Sequence, residues 1–312
     1  GIRSIRIASE AGLKCCLNDW NREAHELIRD NIKLNGVEHL CTASWQDANN
    51  LLHQECFDIV DIDPFGSPSS YLDSSARSVR KLLCITATDT APLCGAHLNS
   101  GIRKYAAIPL NTEYHKEMGV RILIGAAVRA LVLHDKGIQV LMAHATRHYI
   151  RLYIKIIKGV AAADRAVGQL GFISHCFNCG WRSWKSGLTP CLEAECPICF
   201  SALKFAGPLW LGSIRESGFC QRVLDELECR KPGKWKHASK IVAYCQNEIE
   251  IPTFYDQHWL CKKKKISPGP IDELVLALKA AGFKASRTHF SGTGFKTDAG
   301  ITQINEIILN GF

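Results

Sequence analysis

Apolar residues recur in two rhythms along the first half of the chain, and the rhythms alternate. Leu13-Lys14-Cys15-Cys16-Leu17 reads as a strand ending at Asn18-Asp19. Ala24, Leu27, Ile28, Ile32 and Leu34 then follow helical spacing over 21–34, closed by Asn35-Gly36. Residues 39–45 predict another strand, followed by Asp47-Ala48-Asn49. Phe57-Asp58-Ile59-Val60 is a short β-branched and aromatic run, predicted as a buried strand. A helix over 71–80 and a strand over 82–88 come next. A long helix over 112–134 carries Val120, Leu123, Ile124, Ala127, Leu131 and Val132 on one face. Residues 138–143 and 149–157 alternate as a hairpin pair, and residues 1–8 read as a loop entering a short helix.

Strand–helix–strand units closing on two late strands predict an α/β fold, a Rossmann-like doubly wound parallel sheet with an antiparallel edge. Such sheets bind ligands outside the carboxyl ends of their strands. Asp19, Asp47 and Asp63 each stand at a predicted strand end. Any one of them could cap the helix after it, Asp19 near Asn21 or Asp63 near Ser69. Three in register on one rim favour a cofactor crevice, with Asp19 where ribose hydroxyls are held. No G-x-G-x-x-G is present; its usual place would fall at or before Gly1. The stretch Asp61-Ile62-Asp63-Pro64-Phe65-Gly66-Ser67-Pro68 adds chemistry. Asp63 supplies acceptor oxygens, Pro64 stiffens the turn without an N–H, and Phe65 offers a flat face to a base. That combination suits methyl transfer to an exocyclic amine of a nucleobase.

The second half changes character. Cys176-Phe177-Asn178-Cys179 and Cys196-Pro197-Ile198-Cys199 make C-x2-C-x16-C-x2-C, the spacing of a zinc ribbon, with Gly180 and Phe200 in the knuckle positions. His175 and Cys191 compete for a ligand place. Four protein ligands would close the site, making the metal structural. An odd count of 15 cysteines with this spacing favours a reducing compartment over a disulfide scaffold. Arg230-Lys231-Pro232-Gly233-Lys234-Trp235-Lys236-His237 and Lys262-Lys263-Lys264-Lys265 share this half with predicted helices over 239–248, 270–281 and 300–309. Basic runs are usually solvated faces; with Trp235 and Trp259 nearby they resemble a helical nucleic-acid module. The Gly-containing basic loop 287–297 could cradle phosphates or be a plain turn, and the clustering of cations favours the former. The net charge of +8 agrees with a polyanionic partner. No run of about 18 apolar residues predicts a membrane span.

Taken together, these stretches resemble the tRNA (guanine-26 N2)-dimethyltransferases of the archaeal and bacterial zinc-containing type. Gly1-Ile2-Arg3-Ser4-Ile5-Arg6, Leu17-Asn18-Asp19, Asp47-Ala48-Asn49, the 61–68 stretch and Thr86-Ala87-Thr88-Asp89-Thr90-Ala91-Pro92-Leu93-Cys94-Gly95 carry the match. Gly207-Pro208-Leu209-Trp210-Leu211-Gly212, Pro252-Thr253-Phe254-Tyr255-Asp256 and Arg287-Thr288-His289-Phe290-Ser291 extend it over nearly the whole chain. The resemblance implies a class I S-adenosylmethionine-dependent methyltransferase domain over 1–158, lacking its N-terminal segment. It implies a C-terminal α+β tRNA-binding domain over 159–312 with a zinc ribbon. It implies Arg3 near the methionine end of S-adenosylmethionine, Asp19 on the ribose, and Asp47 with Ala48 on the adenine. Asp63, Pro64 and Phe65 would receive the guanine, and Cys176, Cys179, Cys196 and Cys199 would hold Zn2+. The expected partner is tRNA, with no membrane or protein partner implied. The expected location is the cytoplasm, an organelle staying open because of the N-terminus. Another RNA amino-methyltransferase, or a non-catalytic zinc-containing RNA-binding protein, are the competing readings.

Overall fold

The computed structural model describes residues 1–311; Phe312, the last residue of the expected C-terminal domain, lies outside them. The chain packs as two units that divide between Phe57 and Asp58.

The first unit runs α1 (Ile2–Ala11), β1 (Cys15–Asp19), α2 (Arg22–Leu34), β2 (Cys41–Trp45) and α3 (Ala48–Gln54). The start of the chain is helical from Ile2, not a loop, because Ile5 and Ala8 bury one turn apart. Strands β1 and β2 pair in parallel, from Cys15 opposite Cys41 to Asp19 opposite Trp45. On α2 only Ile28 and Ile32 are buried, whereas Leu27 and Leu34 stay exposed. The buried stripe is narrower than the sequence predicts, since a two-stranded ladder gives a helix little surface to cover. Ile5, Ala8, Leu17, Ile28, Ile32, Val37 and Cys41 form this unit's core.

The second unit opens with β3 (Phe57–Ile62), α4 (Leu72–Ser78), β4 (Val79–Ala87), α5 (Thr90–Leu93), α6 (Leu98–Tyr105), α7 (His115–Leu131), β5 (Lys136–Thr146) and β6 (Tyr149–Lys158). Its four-stranded sheet has the order β3-β4-β6-β5, with β4–β6 and β5–β6 antiparallel. The strands read as one sheet are thus hydrogen-bonded in two ladders. β3 is an edge strand among the described residues, and only Val60 and Ile62 of it are buried. The expected fully buried strand is therefore half-solvated, which explains how it tolerates Asp58 and Asp61. Helix α7 departs from its amphipathic reading in the other direction: every residue from Glu117 to Val128 is buried.

Beyond it come α8 (Val160–Val167) and an antiparallel sheet of β7 (Leu170–His175), β8 (Arg182–Ser186) and β9 (Lys204–Trp210), ordered β8-β7-β9. Strand β9 lies on α7, where a Cβ at Gly125 would come within 3.2 Å of the Leu209 backbone. The chain ends with α9 (Ser217–Arg230), α10 (Trp235–Asn247), β10 (Tyr255–Asp256), α11 (Gln257–Lys264), α12 (Ile271–Ala280), β11 (Ala285–Arg287), β12 (Gly294–Thr297) and α13 (Ile301–Leu309). Strands β10, β12 and β11 form a small antiparallel sheet over a core of Leu260, Leu274, Leu278, Phe295, Ile304 and Ile308. Helix α9 is legible in the Cys220, Val223, Leu224, Leu227 spacing, which packs against Met142 and Tyr153. No helix among the described residues is long and apolar enough to cross a membrane.

A buried charge network joins these pieces. Glu117 Oε1 accepts from Arg121 Nε at 2.9 Å, Lys296 Nζ at 2.9 Å and the Thr253 amide at 3.2 Å. Arg121 also donates to the carbonyls of Trp210 and Gly212, both at 3.0 Å. Lys296 reaches Glu248 Oε2 at 3.4 Å, and Glu248 Oε1 accepts from the His289 ring and amide and from Thr288. Burial works against both charges of the Glu248–His289 pair. His289 and Lys296 nonetheless hold Glu248 well below the usual carboxylate range, and Glu248 holds His289 well above the usual imidazole range. Arg287 pairs with Asp272 at 2.8 Å. The basic stretch 287–297 therefore spans the end of β11, the turn and β12, with His289 and Lys296 spent on buried carboxylates and Arg287 on a surface pair with Asp272. Lys296→Met leaves two buried carboxylates short of a cation. It is expected to lower stability by about 3–5 kcal/mol, read as a shift of the urea midpoint at unchanged slope.

Candidate functional site

Strand β3 ends at Ile62, and the turn that follows is closed by Gly66. Its amide donates to Thr88 Oγ1 at 2.7 Å, and its carbonyl accepts the amides of Thr88 at 3.0 Å and Asp89 at 3.3 Å. Gly66 sits at φ +97, which favours glycine. Asp63 is exposed, and Phe65 stands fully clear of the protein at 107% relative exposure. An aromatic side chain held that far out by a braced turn gains nothing from its own core; it suits stacking on a base. Asp63 is not the cap of the helix that follows: that short 3-10 turn, Ser69–Tyr71, begins after Pro68 with no side-chain cap.

Two further groups hold this turn, and sequence reasoning missed both. Ser67 Oγ shares a 2.8 Å hydrogen bond with Tyr105 Oη. Buried Tyr105 donates to Asp89 Oδ1 at 2.7 Å, and Lys104 reaches Asp89 Oδ2 at 3.1 Å. Two residues before Asp63, Asp61 is gripped by both terminal nitrogens of Arg151, at 2.7 and 3.0 Å, and Arg151 also donates to Thr86 at 2.8 Å. Such a fork fixes the end of β3 in two directions. The only sequence signal for these partners was Thr88-Asp89 at the end of a strand; Tyr105 and Arg151 gave none.

In the first unit, Asp19 is the last residue of β1 and Asp47 follows the end of β2, so parallel pairing brings both carboxylates to one rim. Asp19 Oδ1 accepts the Asn21 amide at 2.9 Å, but the N-cap of α2 is Asn21 itself. Asp47 is the N-cap of α3, accepting from Asn49 at 2.8 Å, and Ala48 is that helix's first residue. The cap reading therefore holds for Asp47 and not for Asp19. Each carboxylate spends one oxygen on the backbone, so acceptor capacity remains for a ribose or an amino group. Arg3 lies exposed on α1. This donor set fits a nucleoside cofactor.

The four predicted metal ligands come together. Cys176, Cys179, Cys196 and Cys199 place their sulfurs within 4.8 Å of one another, with Cys176–Cys199 at 3.4 Å and Cys179–Cys196 at 3.5 Å. Zinc bonded to four thiolates at about 2.3 Å needs sulfurs about 3.8 Å apart, so the cluster fits. Gly180 and Phe200 take positive φ in the two knuckles, as their positions predict. The Trp181 amide points at Cys179 Sγ at 3.4 Å. His175 and Cys191 lie outside the cluster. Arg182, just past the first knuckle, is buried. It pairs with Glu113, donates to Phe254 O at 2.7 Å and covers the Tyr255 ring at 3.9 Å. Lys263 of the basic run donates to the Phe177 and Asn178 carbonyls. Four sulfurs would leave a bound metal no open position, the arrangement of a structural site.

Parallel βα units with acids at the strand ends, an acidic-Pro-aromatic turn and an appended cysteine knuckle define a Rossmann-like α/β methyltransferase with a structural metal module. The chain belongs to the N2,N2-dimethylguanosine tRNA methyltransferase family, whose model matches residues 1–309. It is 53% identical over 309 residues to the tRNA (guanine(26)-N(2))-dimethyltransferase of Methanosarcina mazei, covering 99% of this chain and 80% of that protein. Identity to the enzyme of the same name from Methanosarcina acetivorans is 54% over 308 residues, covering 99% and 79%. The solved complex of Trm1 from Pyrococcus horikoshii with S-adenosyl-L-methionine matches with a TM-score of 0.91 at 35% identity, covering 98% of this chain and 85% of that one.

Two outcomes are expected here. Purified protein should carry one zinc per chain by elemental analysis, and Cys196→Ser should lose it together with protease resistance over 170–210. Thr88→Val removes the acceptor of the Gly66 amide, so hydrogen exchange at Gly66 should speed up while Thr88→Ser restores protection.

Proposed function

We propose that the chain transfers one or two methyl groups from S-adenosylmethionine to the exocyclic N2 of guanine 26 in tRNA. The observation that carries this is family membership over 1–309, with more than half of the residues identical to enzymes of that name. An Asp63-Pro64-Phe65-Gly66 turn braced on Thr88 supports it.

S-adenosylmethionine supplies the electrophilic methyl group. The guanine N2 lone pair is delocalised into the ring, which makes the amine a poor nucleophile. Asp63 accepts the N2 hydrogens, localising that lone pair, and serves as acceptor for the proton that leaves. Phe65 stacks on the guanine once it has left the helical stack. Pro64 and Gly66 keep the acceptor and the plate in fixed relation, so positioning supplies much of the acceleration. Asp19 would hold the cofactor ribose, Asp47 and Ala48 would read its adenine, and Arg3 would lie near its methionine end. The four cysteines would hold zinc and take no part in the transfer.

We assign residues 1–158 to methyl transfer and 159–312 to tRNA binding. The second assignment is supported by Lys231, Lys234, Lys236, Lys262, Lys264 and Lys265, all exposed. A cytoplasmic location suits a site built from four reduced thiolates.

Labelled methyl from S-adenosylmethionine should appear on an unmodified tRNA transcript with guanine at position 26 and not on one with adenine there. Equal labelling of both, or of neither, would overturn the assignment. Asp63→Ala should lower transfer by at least about a hundredfold with cofactor binding kept.

A further inference from the structure

The buried cations of the second unit are each matched by a carboxylate: Arg121 by Glu117, Arg151 by Asp61, Arg182 by Glu113 and Lys296 by Glu117 and Glu248. One cavity gathers a half-buried lysine and an exposed arginine without such a partner. It has a volume of about 180 Å³, and its lining includes Thr90, Asn111, His115, Lys116, Arg147 and Tyr149. No Asp or Glu lines it. Among the described residues neither Lys116 nor Arg147 meets a carboxylate. A second cavity is lined by Arg121, Arg215 and Lys296, but Glu248 and Glu250 share its walls.

The charge in the first cavity is reinforced by where it sits. His115 and Lys116 open α7, a helix of 17 residues whose N-cap, Tyr114, offers no side-chain acceptor. Cations are disfavoured at that end of a helix, where the macrodipole is already positive. The acid of the first turn, Glu117, is turned inward to Arg121 and Lys296. From the opposite wall comes Arg147, at the tip of the two-residue turn between β5 and β6, with φ +54. That backbone conformation favours Gly or Asn, so an arginine is held there against local preference. The thiol of Cys94 also lines the space, but burial pushes it up to about 11, so it is neutral at pH 7 and no nucleophile.

The location assigns the charge a purpose. The lining begins at Thr90, next in the chain to Asp89, whose amide bonds to Gly66 of the catalytic turn. We propose that this cavity seats a phosphodiester of the RNA strand flanking the target guanine, held by Lys116 and Arg147 over the N-terminus of α7, with Tyr149 as a wall for the adjoining sugar or base. The proposal rests on the reaction assigned above and deepens it. A strand gripped beside its target cannot slide, so the grip fixes which base meets Asp63.

The test measures the dissociation constant of the full-length protein for a guanine-26 transcript across a salt series. Lys116→Ala with Arg147→Asn, the latter suited to the left-handed backbone, should weaken binding several-fold. It should also flatten the dependence of log K on log salt by about one for each phosphate no longer held. Arg147→Lys should restore most of the slope. A transcript with a neutral methylphosphonate beside nucleotide 26 should bind wild type more weakly and the double variant no more weakly than the unmodified transcript. Equal slopes in wild type and variant, or full additivity of the two changes, would overturn the phosphate seat. The slopes are read from binding whether or not methyl is transferred. A wild type that binds with these slopes but does not methylate would instead overturn the reaction assigned above.

Discussion

Lys296 lies between two buried carboxylates, and the second unit is assembled around it. Glu117 belongs to the middle helix, Glu248 follows the end of α10, and Lys296 sits on a short strand of the small C-terminal sheet. None of these charges can leave for water without opening the unit. A buried pair of this kind contributes little net stability against an apolar replacement, but a mispaired register costs several kcal/mol. Its effect is specificity: α7, the end of β9 and the β11–β12 turn have one arrangement in which every charge is met. Both the cysteine knuckle and the 63–66 turn are attached to parts that this arrangement fixes.

The 63–66 turn is built on the opposite principle. Its braces are backbone amides, hydroxyls and one arginine fork on Asp61, and they leave Asp63 and Phe65 outward. Gly66 and Thr88 close the loop, so the aromatic plate is displayed without being packed. An aromatic ring displayed in this way has its face open to solvent, and the braced backbone below it fixes where it stands. Rigidity below the turn and exposure above it are two sides of the same construction.

The zinc knuckle couples to the rest through Arg182 and Lys263, not through its cysteines. Arg182 reaches Glu113, immediately before α7, and the Phe254 carbonyl, before β10. The first knuckle is thus tied to the approach to the central helix through Arg182.

The sequence alone determined the features whose cause is local. Strand and helix periodicity placed β1 to β6, α2, α4 and α7 but missed α3, α5 and α6; the C-x2-C spacing delivered four converging thiolates, and Asp63-Pro64-Phe65 at a strand end marked the candidate turn. Each follows from residues a few positions apart, since a knuckle or a helical stripe is complete within one or two turns of chain. Tertiary structure decided which faces were covered and which charges were spent. It buried α7 on every side, left β3 at an edge among the described residues, and turned His289 and Lys296 onto buried carboxylates where the sequence pointed to a phosphate loop. Glu117 and Lys296 are 179 residues apart in the chain, and nothing near either one records the other. A cation's fate depends on the carboxylate that folding brings to it, and that distance is set by packing and not by spacing.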